Sequence, residues 1–142
     1  MSNRQYPSHP FVGVGGVVFI DGRVVLVKRR YEPLVGRWSL PGGVVDVGET
    51  MRDGLRRELR EEIGIETRVG PLVELFDRIT RDSDGRVRYH YVLADYLCHR
   101  LTGDLRPGSD AETMALADPA DLSPYTLTDD TRAVIVRAVE LR

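Results

Sequence analysis

Residues 43–65 read GVVDVGETMRDGLRRELREEIGI, and the second half of this stretch predicts a helix over residues 50–63. Thr50 followed three residues later by Asp53 is a helix-start pattern, and Gly64 is a common helix stop. An apolar residue recurs at every fourth position, which predicts one buried stripe formed by Met51, Leu55, Leu59 and Ile63.

Three carboxylates lie beside this stripe on the same helix. Glu58, Glu61 and Glu62 fall within one helical turn, where like charges repel each other unless positive charge lies between them. A divalent cation would supply that charge, and hard oxygen ligands suit Mg²⁺ or Mn²⁺ better than zinc. An arbitrary helix rich in Glu and Arg is more often a solvated face held by its own ion pairs. The flanking residues must therefore decide between the two interpretations.

The flanks favour the metal site. The stretch contains, at fixed spacing, Gly43, Glu49, Arg57-Glu58-Leu59, Glu61-Glu62 and Gly64-Ile65. This pattern resembles the signature box of the Nudix hydrolases at each of its defining positions. The resemblance implies an α+β fold, in which a mixed β-sheet lies between helices in an α/β/α sandwich. It also implies a Mg²⁺-dependent hydrolase of a nucleoside diphosphate linked to another moiety.

The same resemblance implies roles for individual residues. A metal ion would be held by the main-chain carbonyl of Gly42 and by the side chains of Glu58 and Glu62. Glu61 would bind a further ion or act as the base. Arg57 would orient the carboxylates by ion pairing, and Glu49 would brace the preceding loop against the helix.

The general base varies in position among Nudix hydrolases. Asp110 and Glu112 are the candidates here, in the segment SDAETMALADPADL, whose residues 110–116 are predicted as a loop. This segment resembles the run after the last strands in the ADP-ribose pyrophosphatase-like branch of the family. HPFVGVGGVVF and FDRITRDSDGRVRYHYVLADYL are similar to that branch too. Leu116 stands where the branch usually carries Trp, a change that would alter the purine pocket.

Four residues outside the box are candidates for substrate binding. Arg29 and Arg37 flank a predicted loop over residues 31–42 and are candidates for phosphate contact, although solvation is the default for surface arginines. Specificity is expected to depend on Phe11, on the loop from Arg29 to Trp38 and on the loop from Asp110 to Leu116. Trp38 either packs beneath the loop, which the usual burial of large aromatics favours, or stacks on a base.

The remaining elements predict one domain over residues 11–142 after a loose lead-in over residues 1–10. Strands are predicted at residues 11–20, 24–29, 69–79 and 87–98, and both pairs are joined by hairpin turns. A loop follows at residues 101–109, and a helix capped by Thr128 closes the chain over residues 128–141. The glycines of residues 13–16 fail the G-x-G-x-x-G spacing, so they predict close packing within a sheet and no dinucleotide site.

The composition narrows the classes of function. The 142 residues are 42% apolar and 30% charged, which is enough for the core of one domain. A net charge of −2 gives no electrostatic basis for nucleic-acid binding, and no polybasic or long apolar run predicts a membrane partner. Cys98 is the single cysteine, which excludes a disulfide framework and predicts a cytoplasmic protein. Whether two chains form a homodimer stays open.

Three functional hypotheses follow. The first is hydrolysis of ADP-ribose to AMP and ribose 5-phosphate. The second is removal of pyrophosphate from an oxidised or non-standard nucleoside triphosphate. The third is a sensor that binds a nucleotide without turnover, against which the intact set of carboxylates argues.

Overall fold

The computed structural model describes residues 4–31, 34–108 and 111–142, with the backbone alone for residues 111 and 112. In chain order the elements are β1 (Phe11–Ile20), β2 (Arg23–Arg29), β3 (Trp38–Ser39), β4 (Gly42–Val44), α1 (Met51–Ile63), β5 (Glu66–Arg81), β6 (Val87–Thr102), β7 (Ala111–Ala117) and α2 (Asp129–Leu141). The predicted α+β architecture, a mixed sheet between two helices, is confirmed.

The strand β1 lies at the centre of the sheet. It runs parallel to β6, with Gly15 opposite Asp95. On its other side it pairs antiparallel with β4 near its start, where Gly15 lies opposite Gly42, and with β2 at its end. The sheet continues through β6 to β5 on one side and through β2 to β3 and β7 on the other. One row across the sheet therefore joins Gly42, Gly15 and Asp95.

The helix α1 packs on one face of this sheet. Thr50 caps it by accepting a hydrogen bond from the Asp53 N–H at 3.1 Å, and Gly64 ends it in the left-handed conformation at φ 78°. Leu55, Leu59 and Ile63 are fully buried, so the apolar stripe is confirmed for these three residues. Met51, in the first turn, departs from the prediction because it stays 42% exposed.

The helix α2 covers the opposite face. The side chain of Thr128 accepts a hydrogen bond from the Thr131 N–H, which confirms the predicted cap. Val134, Ile135 and Ala138 are buried against a cluster that includes residues of β1 and β6. Neither α1 nor α2 has the length and apolar composition needed to cross a membrane, and the same holds throughout the described residues.

The glycines of β1 allow the close packing that the sequence predicts. A Cβ on Gly13 would lie 2.5 Å from a methyl carbon of Leu93, and a Cβ on Gly16 would lie 3.2 Å from Leu59. Any side chain at these positions would displace its neighbours in β6 or α1.

Three predicted loops are partly strand. β3 and the start of β4 lie within residues 31–42, β7 takes up residues 111–116 of the predicted loop and ends at Ala117, and β6 continues to Thr102. The physical reason is pairing: β7 forms its ladder with β2, and β4 with β1, although neither sequence alternates as an isolated strand would. Long-range backbone hydrogen bonds thus outweigh weak local preference.

The N-terminal lead-in contacts the hairpin formed by β5 and β6. The Tyr6 N–H donates to the Arg88 carbonyl at 2.7 Å, and the Tyr6 hydroxyl donates to Asp82 at 2.9 Å. These contacts bring Arg4 to the open end of the sheet, where it lines the cavities described below.

Candidate active site

Glu49 connects the loop before α1 to the helix itself. Its carboxylate accepts hydrogen bonds from Arg57 Nε at 2.7 Å and Nη2 at 2.9 Å, a paired geometry that makes such contacts strong. The backbone N–H of Asp46 donates to the same carboxylate at 2.8 Å. Hydrogen bonding to Arg57 lowers the pKa of Glu49 to about 2. The residue therefore stays charged at neutral pH and ties the loop at Asp46 to the helix at Arg57.

Arg57 also contacts two of the carboxylates predicted to bind metal. Its Nη1 donates to Glu58 at 2.9 Å and to Glu61 at 3.2 Å, and its Nη2 donates to the Val44 carbonyl at 3.1 Å. The hydrogen bond to Glu49, followed by the contact with Glu58, raises the pKa of Arg57 above its ordinary value. Arg57 is thus a fixed positive charge that orients the carboxylates around it.

The carboxyl group of Glu58 lies directly over Gly43. A Cβ on Gly43 would overlap this group, with Oε1 only 2.6 Å away, so a side chain at this position would expel it. Glu58 and Glu62 line a cavity of about 80 Å³ together with Gly42 and Gly43. Gly42 is at φ 155°, and a side chain there would collide with the Val14 carbonyl oxygen of β1. Both glycines are therefore needed for the close approach of β4 to its neighbours.

The donors at this cavity fit a divalent cation, although the predicted ligand set is not gathered in full. Across the described ranges, no three acidic, histidine or cysteine side chains converge on one point. Glu61 accounts for part of this difference, because it is 61% exposed and turned towards Arg57. Glu58, Glu62 and the backbone of Gly42 offer oxygen donors at this cavity, and the Glu58 carboxyl lies where a side chain on residue 43 would be. Such a donor set suits Mg²⁺ or Mn²⁺.

A second cavity, of about 140 Å³, continues from the first. Arg4, Arg29 and the strand β4 line both. Its lining also includes residues of β1 and β3, and residues of β5, β6 and α2: Phe76, Arg78, Tyr91, Leu93, Asp95 and Thr131. Apolar walls with a few polar groups are typical of a ligand pocket.

Asp95 is the buried carboxylate of this second cavity. It is 7% exposed, and no described residue donates a hydrogen bond to its side chain. Burial raises the pKa of Asp95 to about 6, and the nearby charge of Arg78 only partly opposes this effect. Arg78 itself donates to Thr128 at 3.3 Å and lies 3.9 Å from Asp130. Burial lowers the pKa of Arg78.

The structure separates the predicted substrate-binding residues. Arg29 lines both cavities, whereas Arg37 and Trp38 are not among the described residues that line either one. Trp38 packs edge-on against Tyr125, with 5.2 Å between ring centroids, which matches the packing alternative. The carbonyl of Arg37 accepts a hydrogen bond from the Arg29 N–H at 2.9 Å, so its backbone helps to hold the residue that reaches the cavities.

Other candidates lie at the edge of the site or beyond the described residues. Phe11 contacts Tyr91, a residue of the second cavity, with 6.3 Å between ring centroids. Asp110 lies outside the described residues, and Glu112 is described by its backbone in β7 alone. Sequence reasoning missed Asp95. The signal that could have revealed it is a lone acidic residue in the apolar run YVLADYL.

Comparison with known proteins places this geometry in a family. Residues 9–138 match the model of the NUDIX domain. The ADP-ribose pyrophosphatase of Methanocaldococcus jannaschii is 33% identical over 110 residues, which cover 78% of this chain and 63% of that relative. The nucleoside triphosphatase NudI of Escherichia coli is 33% identical over 124 residues, 81% of this chain and 86% of that protein.

A solved structure agrees with these relatives. The crystal structure of a MutT NUDIX hydrolase from Burkholderia pseudomallei superposes with a TM-score of 0.80 at 34% identity, covering 92% of this chain and 98% of that one. This chain thus spans about three fifths of the archaeal relative's length and nearly all of the Burkholderia chain. The protein belongs to the Nudix hydrolase family.

Proposed function

We propose that this protein is a Mg²⁺-dependent pyrophosphohydrolase of a nucleoside diphosphate linked to another moiety. One observation carries the proposal: the carboxyl group of Glu58 fills the space above Gly43, beside Glu62, at a cavity that opens to solvent. Arg57, itself fastened by Glu49, holds Glu58 in this position. A helix that served only as a solvated face would have no need for this arrangement.

The residues of the chain divide the work of hydrolysis. Glu58, Glu62 and the carbonyl of Gly42 would hold a divalent ion, which would supply positive charge against the diphosphate and make a bound water more acidic. Arg29 lines both cavities and binds phosphate oxygens through its planar set of donors. Arg57 keeps the carboxylates in position throughout.

The proton of the attacking water goes to a carboxylate outside this ligand set. Glu61 is 61% exposed and can reach a water molecule, or a further ion, once it leaves Arg57. Asp110 and Glu112 are the alternative bases. Each of Glu61, Asp110 and Glu112 is replaced by its amide, and the base is the residue whose replacement removes the pH-dependent limb of kcat.

Two substrates are proposed for this site. ADP-ribose, cleaved to AMP and ribose 5-phosphate, is favoured by the resemblance of the sequence to that branch and by the name of the archaeal relative. A nucleoside triphosphate, cleaved to a monophosphate and pyrophosphate, is favoured by the fraction of each relative's length that aligns with this chain. The alignment covers 86% of the Escherichia coli triphosphatase but 63% of the archaeal pyrophosphatase.

Product analysis tests the proposal. The purified protein is incubated with Mg²⁺ and a panel of nucleoside triphosphates and nucleoside diphosphate sugars, and the products are identified by phosphorus NMR. Free pyrophosphate from a triphosphate excludes the first substrate as the sole one, whereas AMP with ribose 5-phosphate supports it. Binding of a nucleotide with no hydrolysis of any panel member would support the sensor hypothesis instead.

Paired variants test the carboxylate assignment in the same assay. Glu62→Gln removes a charge beside Glu58, and kcat is expected to fall at least about 100-fold because charge stabilisation worth several kcal/mol is lost. Glu140→Gln makes the same chemical change on the exposed face of α2 and should leave kcat unaltered. Near-normal turnover of Glu62→Gln at saturating Mg²⁺ would contradict the metal assignment.

A further inference from the structure

The second cavity contains a charge that the protein itself does not satisfy. Asp95 is 7% exposed, and within the described chain no N–H or O–H donates to its side chain. Its neighbours on the same strand face are apolar, and a carboxylate in such surroundings is costly unless hydrogen bonds compensate. Packing alone would be better served by Asn or Leu at this position. The missing donors are therefore expected to come from a ligand.

The surroundings of Asp95 favour a planar ligand. Phe76 and Tyr91 line the same cavity, and the guanidinium of Arg78 lies 5.7 Å from the centroid of the Phe76 ring. Aromatic faces of this kind bind bases by stacking. Asp95 lies two strands from Gly42 in the same row of the sheet, a separation of roughly 10 Å at the usual strand spacing. The base end of a nucleotide can occupy this position while its phosphates lie at β4.

The charges facing Asp95 determine which base edge fits. Arg78 and Glu74 face it from β5 and Asp130 faces it from α2. An ionised carboxylate only accepts hydrogen bonds, so it requires two donors side by side. Among the common bases, guanine alone presents a ring N–H next to an exocyclic amine, whereas adenine presents one amine next to a ring acceptor. The carbonyl beside the guanine ring N–H can in turn accept from Arg78.

We propose that Asp95 and Arg78 form a base-recognition site that selects guanine nucleotides. Asp95 accepts hydrogen bonds from the ring N–H and the exocyclic amine, Arg78 donates to the carbonyl, and the cavity walls cover the ring. The inference rests on the proposed function for the position of the phosphates. It narrows the substrate to a guanosine derivative, and so favours a guanosine triphosphate or GDP-linked compound over ADP-ribose.

Equilibrium binding tests this site without relying on hydrolysis. Calorimetric titrations with GDP, IDP and ADP are made in the presence of a metal chelator, so that turnover is silent. IDP differs from GDP only in lacking the exocyclic amine. We expect GDP to bind at least about 10-fold more tightly than either IDP or ADP, since IDP loses one hydrogen bond to the charged carboxylate and ADP, whose ring nitrogen is an acceptor, loses more than one.

The variants Asp95→Asn and Asp77→Asn make the same chemical change at a buried and at an exposed position. Asp77 lies on β5 with its side chain exposed. Asp95→Asn should weaken GDP binding about 10- to 100-fold and bring the three affinities within a few-fold of each other, whereas Asp77→Asn should match the wild type. Thermal unfolding of each variant establishes that it is folded.

Three results would overturn the proposal: equal affinities in the wild type, an equal loss for all three nucleotides in Asp95→Asn, or no nucleotide binding at all. An equal loss would assign Asp95 to the ribose, which the three compounds share. Hydrolysis of the panel without preference for a base would leave the proposed function intact and refute the guanine site. Selective GDP binding without any hydrolysis would support the guanine site and refute the proposed function.

Discussion

The unfolding free energy of this protein is expected to fall with rising pH through the titration of Asp95. In the folded state burial raises the pKa of this carboxyl group from its ordinary value near 4 to about 6. A raised folded-state pKa gives stability that is fully present below the unfolded value and is lost as the pH rises through about 6. The difference of about two units corresponds to roughly 3 kcal/mol, and little of it is screened by solvent because Asp95 is 7% exposed.

The variant Asp95→Asn isolates this contribution. Urea unfolding of wild type and variant at pH 4.5, 6 and 8 gives the difference in unfolding free energy at each pH, in which the titration of every other group largely cancels. We expect that difference to shift by roughly 2 kcal/mol in favour of the variant between pH 4.5 and pH 8, because about a third of the effect is already lost at pH 4.5.

The exposed control Asp77→Asn should show no such shift. If the difference between Asp95→Asn and the wild type stays constant across this pH range, Asp95 does not titrate as a buried group, and the reasoning about an unsatisfied carboxylate fails.

Three further predictions concern the α1 side of the site. Gly43→Ala should reduce kcat at least about 10-fold with little change in the melting temperature, because the new methyl group displaces the Glu58 carboxyl; unchanged kinetics would refute this. Glu49→Gln should lower the melting temperature above pH 4.5, with the difference from the wild type vanishing as the pH approaches 2, because the lowered pKa of Glu49 contributes stability only while it is ionised and bound to Arg57. Leu59→Ala should cost about 2 to 5 kcal/mol in urea unfolding, since this side chain is fully buried, and a cost below about 1 kcal/mol would contradict its place in the core.

The sequence was sufficient to predict the elements whose signals are local. The four-residue apolar spacing and the caps at Thr50 and Gly64 define α1, and the Thr128 cap defines the start of α2. The strand bounds of β1 also agree, at Phe11–Ile20. In each case, residues close together in the sequence determine the backbone conformation. A single sequence is therefore enough to predict these elements.

The elements that the sequence did not predict depend on distant partners. β7 has the sequence AETMALA, which contains good helix formers, and becomes a strand by pairing with β2. β3 and β4 are two and three residues long, too short to show alternation. The parallel pairing of β1 with β6 joins residues 80 positions apart, such as Phe11 and Tyr91, and leaves no local trace in the sequence.

The same contrast applies to the candidate site. The carboxylates of α1 share one helix, so their spacing revealed them together with Arg57. Asp95 and Arg78 lie on different strands and meet only through the pairing of β5 with β6, so no spacing pattern connects them. Isolated polar residues within apolar strands are worth attention for this reason.

The row that joins Gly42, Gly15 and Asp95 across the sheet also has an evolutionary consequence. Gly15 separates β4, beside which we propose that the diphosphate binds, from β6, beside which we propose that the base binds, and a Cβ on Gly15 would clash with Asp95. In the proposed assignment, bond cleavage depends on α1, β4 and Arg29 of β2, while base selection depends on β5, β6 and α2. Descendants of this protein can acquire new substrates through mutations at Asp95 or Arg78 without disturbing hydrolysis, whereas a mutation at Gly15 would impair both properties together.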